Sequence, residues 1–245
     1  MILPAASPLP PARGPWVLRM KWHDLCFMHW AVDAGTIART LPVGVEVDTY
    51  GGQAYLGVVP FRMSGVAPRL APDVPRLSAF PELNLRTYVT VDGVPGVWFY
   101  SLDIPEPLPV VLARTFFYLP YNLARMWMQR DNDSGVTRYA SLRTQADAPA
   151  GRFAAAYRPA EPEFLAAPGT LEDWLTNRLA LYSADSSGRV YRGHIHHTPW
   201  PLRRAEAVIA ENMLADRLGV KLEGQPHLLH SEQLDVRAWW VERVR

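Results

Sequence analysis

FPELNLRTYVTVDGVPGVWFYSL, residues 80–102, decides the reading of this chain. Successive side chains of a strand point to opposite faces. That period places Glu82, Asn84, Arg86 and Tyr88 on one face and Leu83, Leu85, Thr87 and Val89 on the other. Asp92-Gly93 then offers two residues that tolerate a positive φ, the requirement of a tight hairpin, so Arg86 to Val91 and Val94 to Leu102 are expected to pair. The polar face has two readings: a solvated outer surface with cross-strand ion pairs, or the wall of a polar pocket inside a barrel. Periodicity alone leaves both open.

Outward from this hairpin, 23 prolines and 16 glycines punctuate segments rich in Val, Tyr, Phe, Trp and Thr, the pattern of many short strands. Val45 to Tyr50 and Gln53 to Met63 flank Gly51-Gly52 as a further expected hairpin. Helices are expected over Asp33 to Leu41 and Leu108 to Phe117, with a short helical turn from Tyr121 to Met128. Another should follow Thr170, which opens a capping box with Asp173, and a last one over Pro201 to Leu218, where Ala205, Val208, Ile209, Met213 and Leu214 fall at helical spacing. Ala146 to Gly151 reads as an exposed loop. The 245 residues, 49% of them apolar, suffice for one sizeable core, and no linker divides them. A flexible arm over residues 1–15 and a single domain over 16–245 are expected.

A net charge of +1 gives no field to hold a nucleic-acid backbone or an anionic membrane. No apolar run approaches the roughly 20 residues of a membrane helix, and the proline-broken start lacks the pattern of a secretory signal. The single cysteine, Cys26, has no disulfide partner, which suits a reducing compartment; a cytoplasmic protein is expected. Self-association into a homo-oligomer stays open. Only Lys21 and Lys221 are lysines, the other 23 basic residues being arginine, so an enzyme needing a lysine amine has two candidates.

Phosphate-loop, dinucleotide-fold, serine-elbow and zincin motifs are absent, and no cofactor is expected. His194 and His196 share a strand face at a spacing that can chelate a metal, yet no third ligand is marked, so no metal is assigned. A structural role or ligand contact for this cluster, His197 included, stays open. Arg62 can hold a carboxylate with its bidentate fork or form an ordinary salt bridge. Cys26 is expected to be a buried, inert thiol, and His29 a buried, hydrogen-bonded side chain.

Longer strings carry a resemblance. His29-Trp30, Val47 to Tyr50, Val58 to Met63, Phe80 to Val89, Gly96 to Asp103, Leu119 to Tyr121 and His196 to Leu202 together resemble a widespread bacterial family known only as a domain of unknown function. That family is similar in fold to acetoacetate decarboxylase. The resemblance implies an α+β, mainly antiparallel β-barrel or cone around a central pocket, with a few peripheral helices. The decarboxylase forms its Schiff base on a lysine of a Pro-Lys-Lys run, and here the comparable residues are Pro120-Tyr121-Asn122. Tyrosine and asparagine have no amine to condense with a ketone, so Schiff-base chemistry is excluded at this position. By the same resemblance Glu82 matches the relative's pocket carboxylate, and Arg62, Asn84, Arg86, Tyr121 and Asn122 become expected lining residues. Glu82 and Tyr121 are then the catalytic candidates for a lyase, isomerase or hydrolase of a small oxo-acid or related compound; the other reading is a non-catalytic binder of a small molecule.

Overall fold

The computed structural model describes residues 9–74 and 78–245. Of the expected N-terminal arm, residues 1–8 lie outside this range. Leu9 packs against an apolar cluster, and Arg13 reaches Glu242 at 3.2 Å.

Among the described residues thirteen strands run in chain order with three short α-helices among them: β1 (Leu18–Val32), α1 (Ala34–Ala38), β2 (Glu46–Val47), β3 (Ala54–Pro68), β4 (Phe80–Val91), β5 (Val94–Ile104) and α2 (Pro107–Phe117). There follow β6 (Tyr121–Arg130), β7 (Thr137–Arg143), β8 (Arg152–Pro159), α3 (Leu171–Thr176), β9 (Ala180–Ala184), β10 (Val190–His196), β11 (Leu202–Asn212), β12 (His227–Ala238) and β13 (Glu242–Arg243). No described helix is long and apolar enough to cross a membrane.

One sheet holds all the strands and closes on itself. From β5 it runs through β6, β7, β8, β11, β12, β1, β3 and β4 back to β5, a nine-strand barrel. The β9–β10 pair also links β5 to β12, which closes a second, smaller circuit on the shared strands. Among the described strands only the β5–β6 and β5–β9 pairings are parallel. Of the strands common to both circuits, β3, β4 and β5 are buried on both faces over most of their length. On β4, Leu83 and Leu85 enter the nine-strand core with Tyr139, Phe153 and Tyr157, whereas Glu82, Asn84 and Arg86 line a cavity on the β9–β10 side. On β1 the phase shifts by one residue at a bulge near Asp24, a non-glycine at φ 49°. Trp22 before it and Leu25 and Phe27 after it therefore reach the same cluster.

The β4–β5 hairpin forms as its residues dictate. Val91 pairs with Val94 across Asp92 and Gly93 at φ 52° and 76°, the geometry that matches the strand twist. Asp33 caps α1 by accepting from the Thr36 backbone N–H at 2.6 Å, and Thr170 caps α3 through the Asp173 N–H. α2 spans nearly the expected residues.

Three expectations fail. Tyr121 to Met128 is no helical turn: it belongs to β6, whose Arg125, Trp127 and Gln129 point outward while Asn122 and Ala124 are buried. Pro201 to Leu218 is mostly β11, with Ala205, Ala207 and Ile209 packed inward; Val208, which the helical reading buries, is 74% exposed. In both segments Ala, Leu, Met and Arg carry helical propensity, and pairing with neighbouring strands overrides it. The Gly51-Gly52 hairpin shrinks to one bridge, Tyr50 to Gln53, because Glu46 and Val47 pair instead with Thr90 and Val89 of β4.

The parallel β5–β9 contact depends on a glycine. A Cβ on Gly96 would lie 2.6 Å from the Tyr182 ring and 2.7 Å from the Ala180 carbonyl oxygen. Gly96→Ala should therefore cost about 1–3 kcal/mol through overpacking, read as a lower urea midpoint with an unchanged slope.

Candidate functional site

The cavity has a volume of about 590 Å³ and lies between β4, β5, β9, β10, parts of β1 and β3, and α2. Its wall is mostly apolar: Phe61, Met63, Phe80, Phe99, Leu181 and Trp200 are examples. Against that wall, β4 sets Glu82, Asn84 and Arg86 in a row at every second position.

Glu82 is 1% exposed. Its neighbour comes from the β5–β6 seam, where parallel pairing puts Tyr121 beside Leu102, and the Tyr121 hydroxyl donates to Glu82 Oε2 at 3.0 Å. Burial pushes the Glu82 carboxyl up to about 8, outweighing the Tyr121 and Asn84 hydrogen bonds that favour the anion; the nearby Asp103 adds to the rise. At neutral pH the side chain is therefore mainly a carboxylic acid. Burial, and then the Glu82 charge, hold the Tyr121 hydroxyl well above its ordinary range, so it stays a donor.

Further along β4, Arg86 lies with its guanidinium carbon 5.2 Å from the Phe27 ring centre, and its Nη2 donates to the Tyr88 hydroxyl at 3.4 Å. Tyr88 is wholly buried beneath it and gives its own proton to the Leu175 carbonyl at 2.7 Å. His29 Nε2, 2.6 Å from the same hydroxyl, must then be the donor of that contact. The ring is neutral, because burial and then the Arg86 charge hold its pKa well below the usual range.

The expected site residues divide by strand parity. Glu82, Asn84, Arg86, Tyr121 and His197 line the cavity. Arg62 does not: Phe61 and Met63 face the cavity, and Arg62, between them, points to the opposite side. Asn122 also turns away from the cavity, its Nδ2 donating to Asp103 Oδ1 and the Pro120 carbonyl, each at 3.2 Å. His196 is exposed, while His194 is buried in the cavity wall with Nε2 3.4 Å from Glu242. His197 donates from Nδ1 to the Thr198 carbonyl at 2.7 Å, and burial keeps it neutral, leaving Nε2 as an unpartnered acceptor. Among the described residues no group of three or more His, Cys, Asp or Glu could hold a metal ion.

Sequence reasoning missed Arg178. It lines the cavity from the segment after α3, with Nε donating to the Trp174 carbonyl and Nη1 to Asp48 Oδ2, both at 2.6 Å. Nothing in its neighbourhood marks it, since only the docking of α3 against β4 brings it there. Neither lysine enters the cavity: Lys21 is half-exposed, 3.9 Å from Asp235, and Lys221 is exposed. Cys26 is buried in the nine-strand core, where burial pushes its thiol pKa up and leaves it inert.

This barrel topology is an acetoacetate-decarboxylase-like fold. The acetoacetate decarboxylase-like enzyme from Sphingomonas wittichii RW1 superposes with a TM-score of 0.67 at 12% identity, covering 95% of this chain and 94% of that one. Acetoacetate decarboxylase from Legionella pneumophila gives 0.64 at 11%, covering 99% and 92%, and the enduracididine biosynthesis enzyme MppR complexed with pyruvate gives 0.64 at 11%, covering 94% and 91%. Within this fold the chain belongs to the family DUF2071, described as an uncharacterised conserved protein, whose model matches residues 19–235. The uncharacterised protein YqjF of Bacillus subtilis (strain 168) is 42% identical over 227 residues, 92% of each chain.

Proposed function

We propose that the cavity is the active site of a cofactor-independent enzyme acting on a small oxo-acid or related oxo compound, with Glu82 as general acid. The observation that carries this reading is a carboxyl raised to about 8 in a cavity wall, with the Tyr121 hydroxyl 3.0 Å away. An acid whose pKa lies near neutrality is protonated when needed and still releases its proton readily. Glu82 would give its proton to the substrate's carbonyl oxygen as negative charge develops there, and take it back as product leaves. Tyr121 would donate a second hydrogen bond to the same oxygen. Lyases, isomerases and hydrolases of oxo compounds share this activation, and a neighbour of the same fold holds pyruvate, an oxo-acid. Schiff-base chemistry is no part of it, since no lysine lines the cavity.

The test is a panel of oxo-acids followed by NMR. Glu82→Gln should lower turnover by about 10²–10⁴-fold and Tyr121→Phe by less. The wild-type rate should fall as pH rises through about 8, where the acid is lost. Borohydride added with substrate should leave both lysines unlabelled. Undiminished turnover by Glu82→Gln would reject Glu82 as the acid, and a panel that binds without any turnover would leave a binding protein.

A further inference from the structure

Arg86, half-buried in the cavity wall, lacks the carboxylate partner such a guanidinium ordinarily has. Every Asp and Glu of the chain lies among the described residues, and none comes within salt-bridge distance of it. Its Nε is buried without a partner, and its one side-chain hydrogen bond is the long contact to Tyr88. The other charged groups of the wall are balanced. Arg178 is neutralised by Asp48, and the Glu242 carboxylate beside His194 is held by Arg192 at 2.7 Å. Glu82 is protonated at neutral pH, and His29 and His197 are neutral. The cavity thus carries one uncompensated positive charge set in an apolar wall. Such a charge is costly unless something pairs with it.

We propose that Arg86 is the anion anchor of the cavity and that its ligand is a monocarboxylate on an apolar body, such as an aryl-alkyl acid. A phosphate dianion or a dicarboxylate would leave one negative charge unpaired among Phe61, Phe99 and Trp200. A bare two- or three-carbon acid would leave most of the 590 Å³ unfilled, a volume within the roughly 300–1,000 Å³ that holds far larger ligands. Glu82 and Arg86 are four residues apart on β4, about 13 Å of strand. A carboxylate on the arginine can therefore extend the apolar body along the wall and bring an oxo group at its far end to Glu82. This inference rests on reading the cavity as the ligand site and does not require Glu82 to be catalytic.

The experiment measures calorimetric binding of the full-length protein to 4-phenylbutanoate, 4-phenylbutanamide, acetate and phenylsuccinate. The monoacid should bind at least about tenfold tighter than its amide, as a charge-assisted hydrogen bond requires, and tighter than acetate or the diacid. Arg86→Met should abolish the acid-over-amide preference while leaving amide affinity unchanged, and Arg86→Lys should restore part of it. Unliganded Arg86→Met should melt no lower than wild type, because it loses an unpaired cation; a structural arginine would give a lower midpoint. Equal affinity for acid and amide in the wild type would overturn the proposal, as would a preference that survives Arg86→Met or the absence of binding by all four probes. The wild-type comparison decides even if Arg86→Met fails to fold. An intact acid preference beside undiminished turnover in Glu82→Gln would reject the catalytic reading alone.

Discussion

Between pH 4.5 and pH 8 the folded protein should lose about 3–5 kcal/mol of stability through Glu82 alone, a loss that Glu82→Gln should remove. In the unfolded chain this carboxyl titrates near its ordinary value, whereas in the fold burial pushes it up to about 8. Between those two values the native state holds a proton that the unfolded state has released. Stability is therefore fully present below about 4.5, falls as pH rises, and levels off above about 8. Glutamine keeps the shape and can still accept from Tyr121, but it has nothing to ionise. Histidines act in the opposite sense: burial lowers His29, and it lowers His230 to about 4, so both favour folding as pH rises toward 6.5. Because the substitution leaves these rings in place, their effect cancels in the difference between variant and wild type. Urea unfolding at four pH values across the range measures it. Parallel curves for the two proteins would mean that Glu82 is ionised in the fold and would remove the acid from the site.

The hairpin of β4 and β5 was legible because alternation and Asp92-Gly93 point to the same local structure. Where its polar face goes was not legible. An amphipathic strand in a simple sandwich turns its polar face to water, but β4 is a wall between two interiors, so Leu83 and Glu82 are both buried. Similarity in sequence named segments correctly and individual side chains less well. Phe61-Arg62 and Tyr121-Asn122 are neighbours in the chain, yet parity sends one of each pair to the cavity and the other away. β6 and β11 were misread because their residues favour helices locally, and the partners that make them strands come from remote segments. Arg178 stayed hidden for a similar reason: its position is created by tertiary packing, and no local pattern surrounds it.

Asn122, the residue at the second lysine position of the resemblance, leads to the other large effect. Asp103 and Arg143 form a bidentate ion pair, Nε to Oδ1 at 2.8 Å and Nη2 to Oδ2 at 3.0 Å, with side chains 1% and 5% exposed. Ser101 Oγ accepts from Nη2 and the Pro149 carbonyl from Nη1, and Asn122 donates to Asp103. The pair spans the seam where β5 meets β6, which is parallel and only three residue pairs long, Leu102 to Tyr121 through Ile104 to Leu123. Arg143→Met should therefore cost about 3–5 kcal/mol, because it leaves Asp103 buried and unpaired at one of the two shortest seams of the barrel. Asp103→Asn should cost a similar amount by stranding the arginine. The double variant Asp103→Leu/Arg143→Met should recover much of the loss, since an apolar pair of similar bulk carries no desolvation penalty. Urea midpoints of the four proteins give the coupling energy; additive losses would show that the two side chains act independently. Tyr121 sits on the same seam, next to Asn122, and holds its hydroxyl against Glu82 only while β6 stays docked. Arg143→Met should accordingly also weaken the Tyr121 contact and lower turnover, although it lies outside the cavity, whereas the apolar double variant should restore stability and turnover together.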